Sequence, residues 1–379
     1  MSSEALIVGA AESTYTRHPD AGATTSALLA EAARGALLSA GLEPADLDGL
    51  GVSSFSLAPD RSIDLAVRLG ISVRWLMDAG TGGASALDLL QHARRAVEAG
   101  DARAVLLVGG DVLDPPAFVR LVDEYNSWTR DLLAPLPTGG PNALFALLTR
   151  RHMEATGLTR EDYGAVAVAQ RAWAAGNPNA AYREPLALAD YLDAPLVSDP
   201  LSLYDCVPVV AGADAVVVAA SGVSDEPGIR IRALRVRHNA DSQEGTGLTT
   251  GLAGEREALW REAGVAPADV DVVSVYDDYP VMALIQLDEL GLAGDDLRRF
   301  IVERLATRSL PVNTSGGQLS AGQAGAAGGL HGLVEAVTQL RGEAGERQVA
   351  DAGLAVVSGY GMIAYRYGAS AGAAVLERA

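Results

Sequence analysis

Two stretches of the chain repeat one pattern of apolar and polar positions. In each, a helix-patterned segment (Ala27–Ser39, Glu255–Ala263) is closed by a glycine and followed by an apolar strand. The residues agree as well: Ser39-Ala-Gly-Leu-Glu-Pro-Ala-Asp-Leu-Asp-Gly-Leu-Gly-Val-Ser53 reads like Glu262-Ala-Gly-Val-Ala-Pro-Ala-Asp-Val-Asp-Val-Val-Ser-Val-Tyr276. A fainter correspondence pairs the Gly-rich start, long helix and strand of Gly80–Gly110 with Gly322–Gly361. Gly100 and Gly342 stop the two helices, and Ala104–Val108 and Leu354–Ser358 are the strands. An internal repeat fixes the architecture before any motif does. It gives two related α/β halves, 1–222 and 223–379, each alternating strands and helices, which predicts a largely parallel, helix-covered sheet.

The second long helix, Ala324–Leu340, opens Ala-Gly-Ala-Ala-Gly-Gly-Leu-His-Gly-Leu, although each interior glycine costs about 1 kcal/mol against alanine. Close packing on nearly every side, between two sheets, would offset that cost. Residues 111–200 break the duplication with Pro, Arg, Trp and amphipathic helices near Asn142–Thr156 and Arg160–Ala175. They read as an insertion on the first half, the kind of segment that carries binding surface.

Composition narrows the function classes. The 379 residues are 49% hydrophobic but 5% aromatic, so Ala, Val and Leu fill the core, and 42 glycines suit close backbone approach. A net charge of −19 argues against nucleic acid and against an anionic membrane surface. No apolar run approaches the roughly 18 residues of a membrane span, and Met1–Ala10 lacks the basic start and apolar core of a signal, so a cytoplasmic location is expected. Cys206 is the only cysteine, and the five histidines share no ligand-like spacing, so neither a disulfide nor a metal site is expected.

Several motifs give the chain a relative. Leu203-Tyr-Asp-Cys-Val-Pro-Val-Val-Ala-Gly-Ala-Asp-Ala-Val-Val-Val218, Val275-Tyr-Asp-Asp-Tyr279, Leu287-Asp-Glu-Leu-Gly291 and, most specifically, Leu310-Pro-Val-Asn-Thr-Ser-Gly-Gly-Gln-Leu-Ser-Ala-Gly322 with Gln339-Leu-Arg-Gly342 resemble the sterol-carrier-protein-type thiolases. Within them, the chain resembles the thiolase-like aldolases of steroid side-chain degradation. The resemblance implies a five-layered αβαβα fold of two duplicated halves, a homodimer, an acyl-CoA thioester as substrate and no resident cofactor. It also implies a small partner protein of oligonucleotide-binding (OB) fold. With 29 Lys and Arg against 48 Asp and Glu, the chain has little of its own to hold CoA phosphates, which a basic partner would supply.

The same resemblance shows what is missing. Thiolases set a nucleophilic cysteine at the start of a buried helix; here that start reads Asp78-Ala-Gly-Thr-Gly-Gly-Ala-Ser85, with Gly80 at the cysteine's place. The Gly-His-Pro segment is matched by Gly322-Gln323-Ala324, and the second cysteine by Ser358. The aldolases use two tyrosines instead; Tyr276 matches the first, and the second falls at Gln323.

The candidate site therefore consists of Tyr276, Gln323, Asp278 and Tyr360 as catalytic groups, with Gly80, Thr81, Gly82, Gly83 and Ser358 holding substrate or oxyanion. Tyr276 moves a proton; the Gln323 amide and the Gly80–Gly83 N–H groups at a helix start suit an enolate. Asp277 and Asp278 point to opposite faces, and either one is a base or caps the helix opening near Pro280. Tyr360 sits in a Gly-Tyr-Gly loop or tight turn, His331 is a hydrogen-bonded core histidine, and Cys206 is a buried small hydrophobe. Thr81 and Ser85 lack an adjacent base and are weak nucleophiles. The leading expectation is cofactor-independent aldol or retro-aldol chemistry. The alternatives are a non-catalytic lipid-transfer or structural protein, and an acyltransferase working through Thr81, Ser85 or a partner's nucleophile.

Overall fold

The computed structural model describes residues 3–57, 59–113, 115–133, 135, 140–240, 247–364 and 367–379. The first half runs β1 (Ala5–Glu12), α1 (Thr25–Ala40), β2 (Gly49–Ser53), α2 (Arg61–Leu69), β3 (Trp75–Asp78), α3 (Ser85–Ala99) and β4 (Ala104–Asp111). An excursion follows: α4 (Pro115–Glu124), α5 (Pro141–Thr156), α6 (Arg160–Ala174), α7 (Leu188–Leu192) and a small hairpin, β5 (Leu196–Ser198) and β6 (Leu201–Ser202), before β7 (Gly212–Ala220) returns. The second half runs β8 (Ile229–His238), α8 (Arg256–Ala263), β9 (Val272–Val275), α9 (Pro280–Glu289), α10 (Leu297–Phe300), α11 (Gly317–Ala321), α12 (Gly328–Arg341), β10 (Leu354–Ala364) and β11 (Tyr367–Arg378).

The strands order as β3-β2-β4-β7-β1-β8-β11-β10-β9. This corrects two expectations. The sheet is mixed, because only strands separated by a helical crossover (β2 with β3, β2 with β4, β9 with β10) pair in parallel; the other neighbours are antiparallel. The two half-sheets are also not separate. They join through β1 and β8 at Leu6↔Arg230 and Ile7↔Ile229.

Alternating strand residues serve two helix layers at once. On β4, Leu106 and Val108 pack with α1 and α2 (Leu29, Leu65), while Val105 and Leu107 face α3 and α12 (Leu90, Leu333). On β10, Ala355 and Val357 join that middle layer, and Val356 faces an outer layer with α8 and α9 (Leu259, Leu284) and excursion residues such as Phe145. The result is α, β, α, β, α. Helix α12 touches β1 and β7 as well as β9 and β10, so it is covered from both half-sheets as its glycines predict.

Those glycines mark close approaches to neighbouring segments. A Cβ on Gly329 would lie 3.0 Å from the Gly83 carbonyl oxygen, and one on Gly332 3.1 Å from Ser274 Cβ. Ser358-Gly-Tyr-Gly361, expected as a loop or tight turn, is the middle of β10. Its glycines serve the neighbouring loop: a Cβ on Gly359 would lie 2.5 Å from Gly83 O, and one on Gly361 would overlap Thr81 O. Because the obstructing atoms are backbone, Gly361→Ala is expected to destabilise the fold by about 1–3 kcal/mol, the usual cost of overpacking. Gly254→Ala, where a Cβ meets nothing within 4 Å, should be close to neutral. Denaturant midpoints of the two variants check this.

Candidate active site

Strand β9 ends at Val275, and the four residues before α9, Tyr276 to Tyr279, fan out on alternate sides. The Tyr276 N–H donates to Ser358 O (3.1 Å), and its carbonyl accepts from Gln286 Nε2 (2.6 Å). Gln286 also accepts from Ser358 Oγ at 2.9 Å. Asp277 accepts from the Gln318 and Leu319 N–H groups at the start of α11 (2.9 and 3.3 Å). Asp278 accepts from Tyr360 Oη, and Tyr279 donates to Asn142 Oδ1 of α5 at 2.6 Å while stacking on Phe145 at 4.0 Å. The expected cap on α9 is absent: Tyr279 is its N-cap residue and makes no side-chain cap bond.

The Tyr276 hydroxyl accepts from Gln323 Nε2 at 2.8 Å, so two residues 47 positions apart meet as the motifs required. Gln323 is held by its own backbone, donating from N to Pro208 O (2.9 Å) and accepting from Val210 N (3.1 Å). The Tyr276 ring covers Gly83, where a Cβ would collide with it, and meets the Tyr360 ring edge-on at 5.3 Å. Tyr125, just after α4, brings its hydroxyl against Gly82 in the same way, and its ring meets Phe55 at 5.9 Å. Gly82 and Gly83 are thus flanked by phenols from two parts of the chain.

The duplication shows what the loop can bind. Before α12, the turn Gly325–Ala327 repeats the turn Gly82–Ala84 before α3, and Gly325 and Gly82 share a left-handed φ (56° and 60°). In the second copy the Ala326 N–H holds a carboxylate, Asp111 Oδ2, at 2.8 Å. In the first copy the residue matching Asp111 is Gly361, which brings no side chain, and the counterpart of Ala326 N–H is Gly83 N–H. The turn that holds a carboxylate from the facing strand in one copy is therefore repeated in the other without that carboxylate.

Three expected site residues serve differently. Thr81 N–H donates to Ser85 Oγ (3.1 Å) and Thr81 Oγ1 to Asp88, so the threonine anchors the loop, and a carboxylate does lie beside its hydroxyl, contrary to the sequence reading. The only hydroxyl hydrogen of Ser358 goes to Gln286 and that of Tyr360 to Asp278, leaving neither to donate to substrate. Cys206 is half-buried rather than buried, just after the turn Leu203–Asp205, with Sγ 3.6 Å from Asn142 Oδ1; burial, with Asp205 nearby, pushes its thiol up to about 12.

Burial dominates the electrostatics. It raises Asp278 to about 8, with Asp277 adding repulsion, and raises Asp277 to about 7 against the pull of two backbone N–H groups. Burial and the Asp278 charge also hold Tyr276 well above the ordinary phenol range, and burial takes Tyr125 to about 12 despite an N–H bond from Met362. The phenols are neutral acids at ordinary pH, and Asp278 titrates near neutrality.

His331 is a core histidine, as expected, but a charged one. Its Nδ1 lies 2.9 Å from Glu12 Oε1 and its Nε2 2.7 Å from Ser315 Oγ, and Glu12 raises it to about 9 against desolvation. Glu12, Asp214 and His331 converge closely enough to hold a metal ion, yet Glu12 pairs with His331, and Asp214 accepts from Tyr15 at 2.8 Å, so the cluster satisfies itself. Sequence reading missed this cluster, Tyr125, Asp111 and Gln286. Asp111 was within reach, because the repeat aligns it with Gly361; Tyr125 lies in unrepeated sequence and had no signal.

A buried carboxyl raised to about 8 binds a proton that the unfolded chain has released above its ordinary 3.8, so it lowers stability as pH rises from about 4 to 8. Asp278→Asn removes that contribution and keeps an acceptor for Tyr360. The wild type should lose more denaturant midpoint between pH 5 and pH 8 than the variant; equal losses would show an ordinary carboxylate.

Comparison with known proteins places the chain. A family described as thiolase C-terminal domain-like matches residues 233–378. The chain is 31% identical to the 17-hydroxy-3-oxo-4-pregnene-20-carboxyl-CoA lyase of Mycobacterium tuberculosis, covering 90% of this chain and 92% of that one. It is also 31% identical to a steroid side-chain-cleaving aldolase of Thermomonospora curvata, covering 89% and 90%. A solved Ltp2-ChsH2(DUF35) aldolase superposes with a TM-score of 0.84 at 27% identity, covering 100% of this chain and 98% of that one. The chain belongs to the thiolase superfamily, in the branch shared by sterol-carrier-protein-type thiolases and steroid side-chain-cleaving aldolases.

Proposed function

We propose that the chain is an aldolase-type carbon–carbon lyase acting on a β-hydroxyacyl-CoA thioester, with a steroid-like acyl group as in the relatives' names. The observation that carries this reading is the Tyr276–Gln323 pair set against a turn whose twin binds a carboxylate, with glycine at the thiolase cysteine's place. A retro-aldol cleavage needs no covalent nucleophile. It needs a group to take the β-hydroxyl proton and donors for the enolate that forms as the Cα–Cβ bond breaks. Tyr276 relays the proton, releasing its own hydroxyl hydrogen to water as it receives the substrate's. Gln323 Nε2 has two hydrogens, one on Tyr276 and one for the enolate oxygen, which Gly83 N–H meets from the other side.

No resident cofactor enters this reading; the CoA thioester is the substrate. The assembly we propose is a homodimer paired through β3, whose outer edge has no strand beside it among the described residues and carries Leu76 at 42% exposure, completed by a small basic OB-fold partner. The solved Ltp2-ChsH2(DUF35) aldolase is named for two proteins, which supports a partner here. Among the described residues no helix is long and apolar enough to cross a membrane; the location we propose is cytoplasmic. Thr81 beside Asp88 favours the acyltransferase alternative, which requires an acyl-enzyme that mass spectrometry would detect.

Turnover of a panel of β-hydroxyacyl-CoA and β-ketoacyl-CoA thioesters tests the reading: cleavage of the hydroxy series to a carbonyl compound and a shorter acyl-CoA is expected. Tyr276→Phe should cost about 10²–10⁴-fold in kcat with binding retained, and Gln323→Ala about 10²-fold. Wild-type turnover by both variants would remove the site.

Cys206→Ala should stay within a few-fold of wild type, since its thiol is held un-ionised beside Asn142. Loss of all turnover in a folded Cys206→Ala variant would restore a thiol mechanism.

A further inference from the structure

Cleavage moves two protons, one off the β-hydroxyl and one onto the α-carbon, and Tyr276 accounts for one. Gln323 neither gives nor takes a proton at ordinary pH. Of the phenols at the loop, Tyr360 has spent its hydrogen on Asp278, and Tyr279 has spent its own on Asn142. Tyr125 differs from both. It lies in the excursion, sits on Gly82 next to the residue covered by Tyr276, and its oxygen accepts the Met362 N–H. An oxygen that accepts from a backbone donor keeps its own hydrogen for another partner, and Tyr125 lies close enough to Tyr276 to act on it electrostatically. The anchor is itself unusual: Met362 is a non-glycine residue in left-handed conformation, φ 56°.

The duplication supports the placement independently. In the second copy the atom that a Cβ on Gly325 would strike is Asp111 Oδ2; in the first, the atom that a Cβ on Gly82 would strike is Tyr125 Oη. The excursion thus sets a polar oxygen beside Gly82 as β4 sets one beside Gly325. Phe55 braces the ring, and Asp111 Oδ1 fixes the Phe55 N–H at 2.9 Å.

We propose that Tyr125 is the second proton-transfer residue of the site, delivering a proton to the α-carbon of the enolate while Tyr276 receives the proton of the β-hydroxyl; this rests on the aldolase reading above. The O–H pair becomes the carbonyl π bond, the Cα–Cβ pair moves into the thioester enolate, and the enolate takes the Tyr125 proton at carbon. Tyr276 passes its own proton to water as it receives one, and water reprotonates Tyr125, so the proton lost at oxygen balances the one gained at carbon.

The test separates this step from cleavage. In D2O, the full chain with a simple saturated acyl-CoA such as propionyl-CoA should exchange its α-hydrogens through the enolate. Tyr125→Phe should slow exchange, and kcat for cleavage, by about 10²–10³-fold, with KM within roughly 3-fold. Exchange within 3-fold of wild type, or a loss confined to KM, overturns the proposal whether or not cleavage is found. Exchange without cleavage of any hydroxyacyl-CoA would sink the aldolase reading alone, and absence of both in the wild type would sink the two together. If Tyr125→Phe fails to fold, 3-fluorotyrosine at 125 gives a more acidic phenol of nearly the same size. The alkaline limb of the exchange profile should then move to lower pH, and an unmoved profile overturns the assignment.

Discussion

The structure turns on a backbone contact where no side chain fits. The turn before α3 is pressed between β10 and α12, with Gly83 O lying 2.5 Å from where Gly359 would carry a Cβ and 3.0 Å from where Gly329 would. Three segments from two halves meet main chain to main chain, and everything functional is arranged around that junction. Tyr276 reaches Gly83 because β9 lies beside β10; Gln323 reaches Tyr276 because the residues before α12 are held by Pro208 and Val210. Glycine costs helix and strand stability locally, roughly 0.5–1 kcal/mol each. Burial of the middle layer, in which α3 and α12 share Leu90 and Leu333 with both half-sheets, offsets it.

Around the junction, reactivity is decided by which hydrogens are already committed. Tyr125, Tyr276, Tyr279 and Tyr360 lie within one cluster, and composition alone makes them equivalent. Hydrogen bonding separates them: Tyr279 and Tyr360 donate to Asn142 and Asp278, whereas Tyr276 and Tyr125 accept from N–H groups. Asp278 at the centre is raised by burial and by Asp277, and its charge in turn lifts Tyr276, Tyr125 and Tyr360. A carboxylate among phenols would be costly if it stayed ionised. Sharing the Tyr360 proton is how the site tolerates it.

Much of the fold was legible because it is written twice. The Pro-Ala-Asp repeat, the closing glycines and the glycine-dense start of α12 all mark real elements, and Tyr276 with Gln323 could be paired through motifs alone. What sequence could not give was strand direction. Helix alternation suggests parallel strands, but β7 pairs antiparallel with β4 although four helices separate them, and β11 follows β10 with no helix between and pairs antiparallel with it. Period-two reasoning placed Asp277 and Asp278 on opposite faces correctly, yet could not say that Asp277 would serve α11 rather than its own helix. Ser358 and Tyr360 were found by position, but their hydrogens are committed to partners 72 and 82 residues away, and no local pattern carries that information.

Duplication also accounts for how such a site can exist without a cysteine. A thiolase helix start does two things, holding a nucleophile and presenting N–H groups to a developing oxyanion, and only the first depends on a particular side chain. The second copy shows the amide function on its own, satisfied permanently by Asp111 and so turned into a structural clamp between β4 and the start of α12. The first copy keeps the turn and loses the clamp because Gly361 replaces the aspartate. A turn of this kind is kept by geometry rather than by residue identity, since it depends on the left-handed glycine and not on the side chain at the helix start. Chemistry can then change by changing what lies across from the turn. In this chain those residues are a phenol, a carboxamide and a second phenol from unrepeated sequence, a set suited to moving protons and holding an enolate, with no atom able to form a thioester.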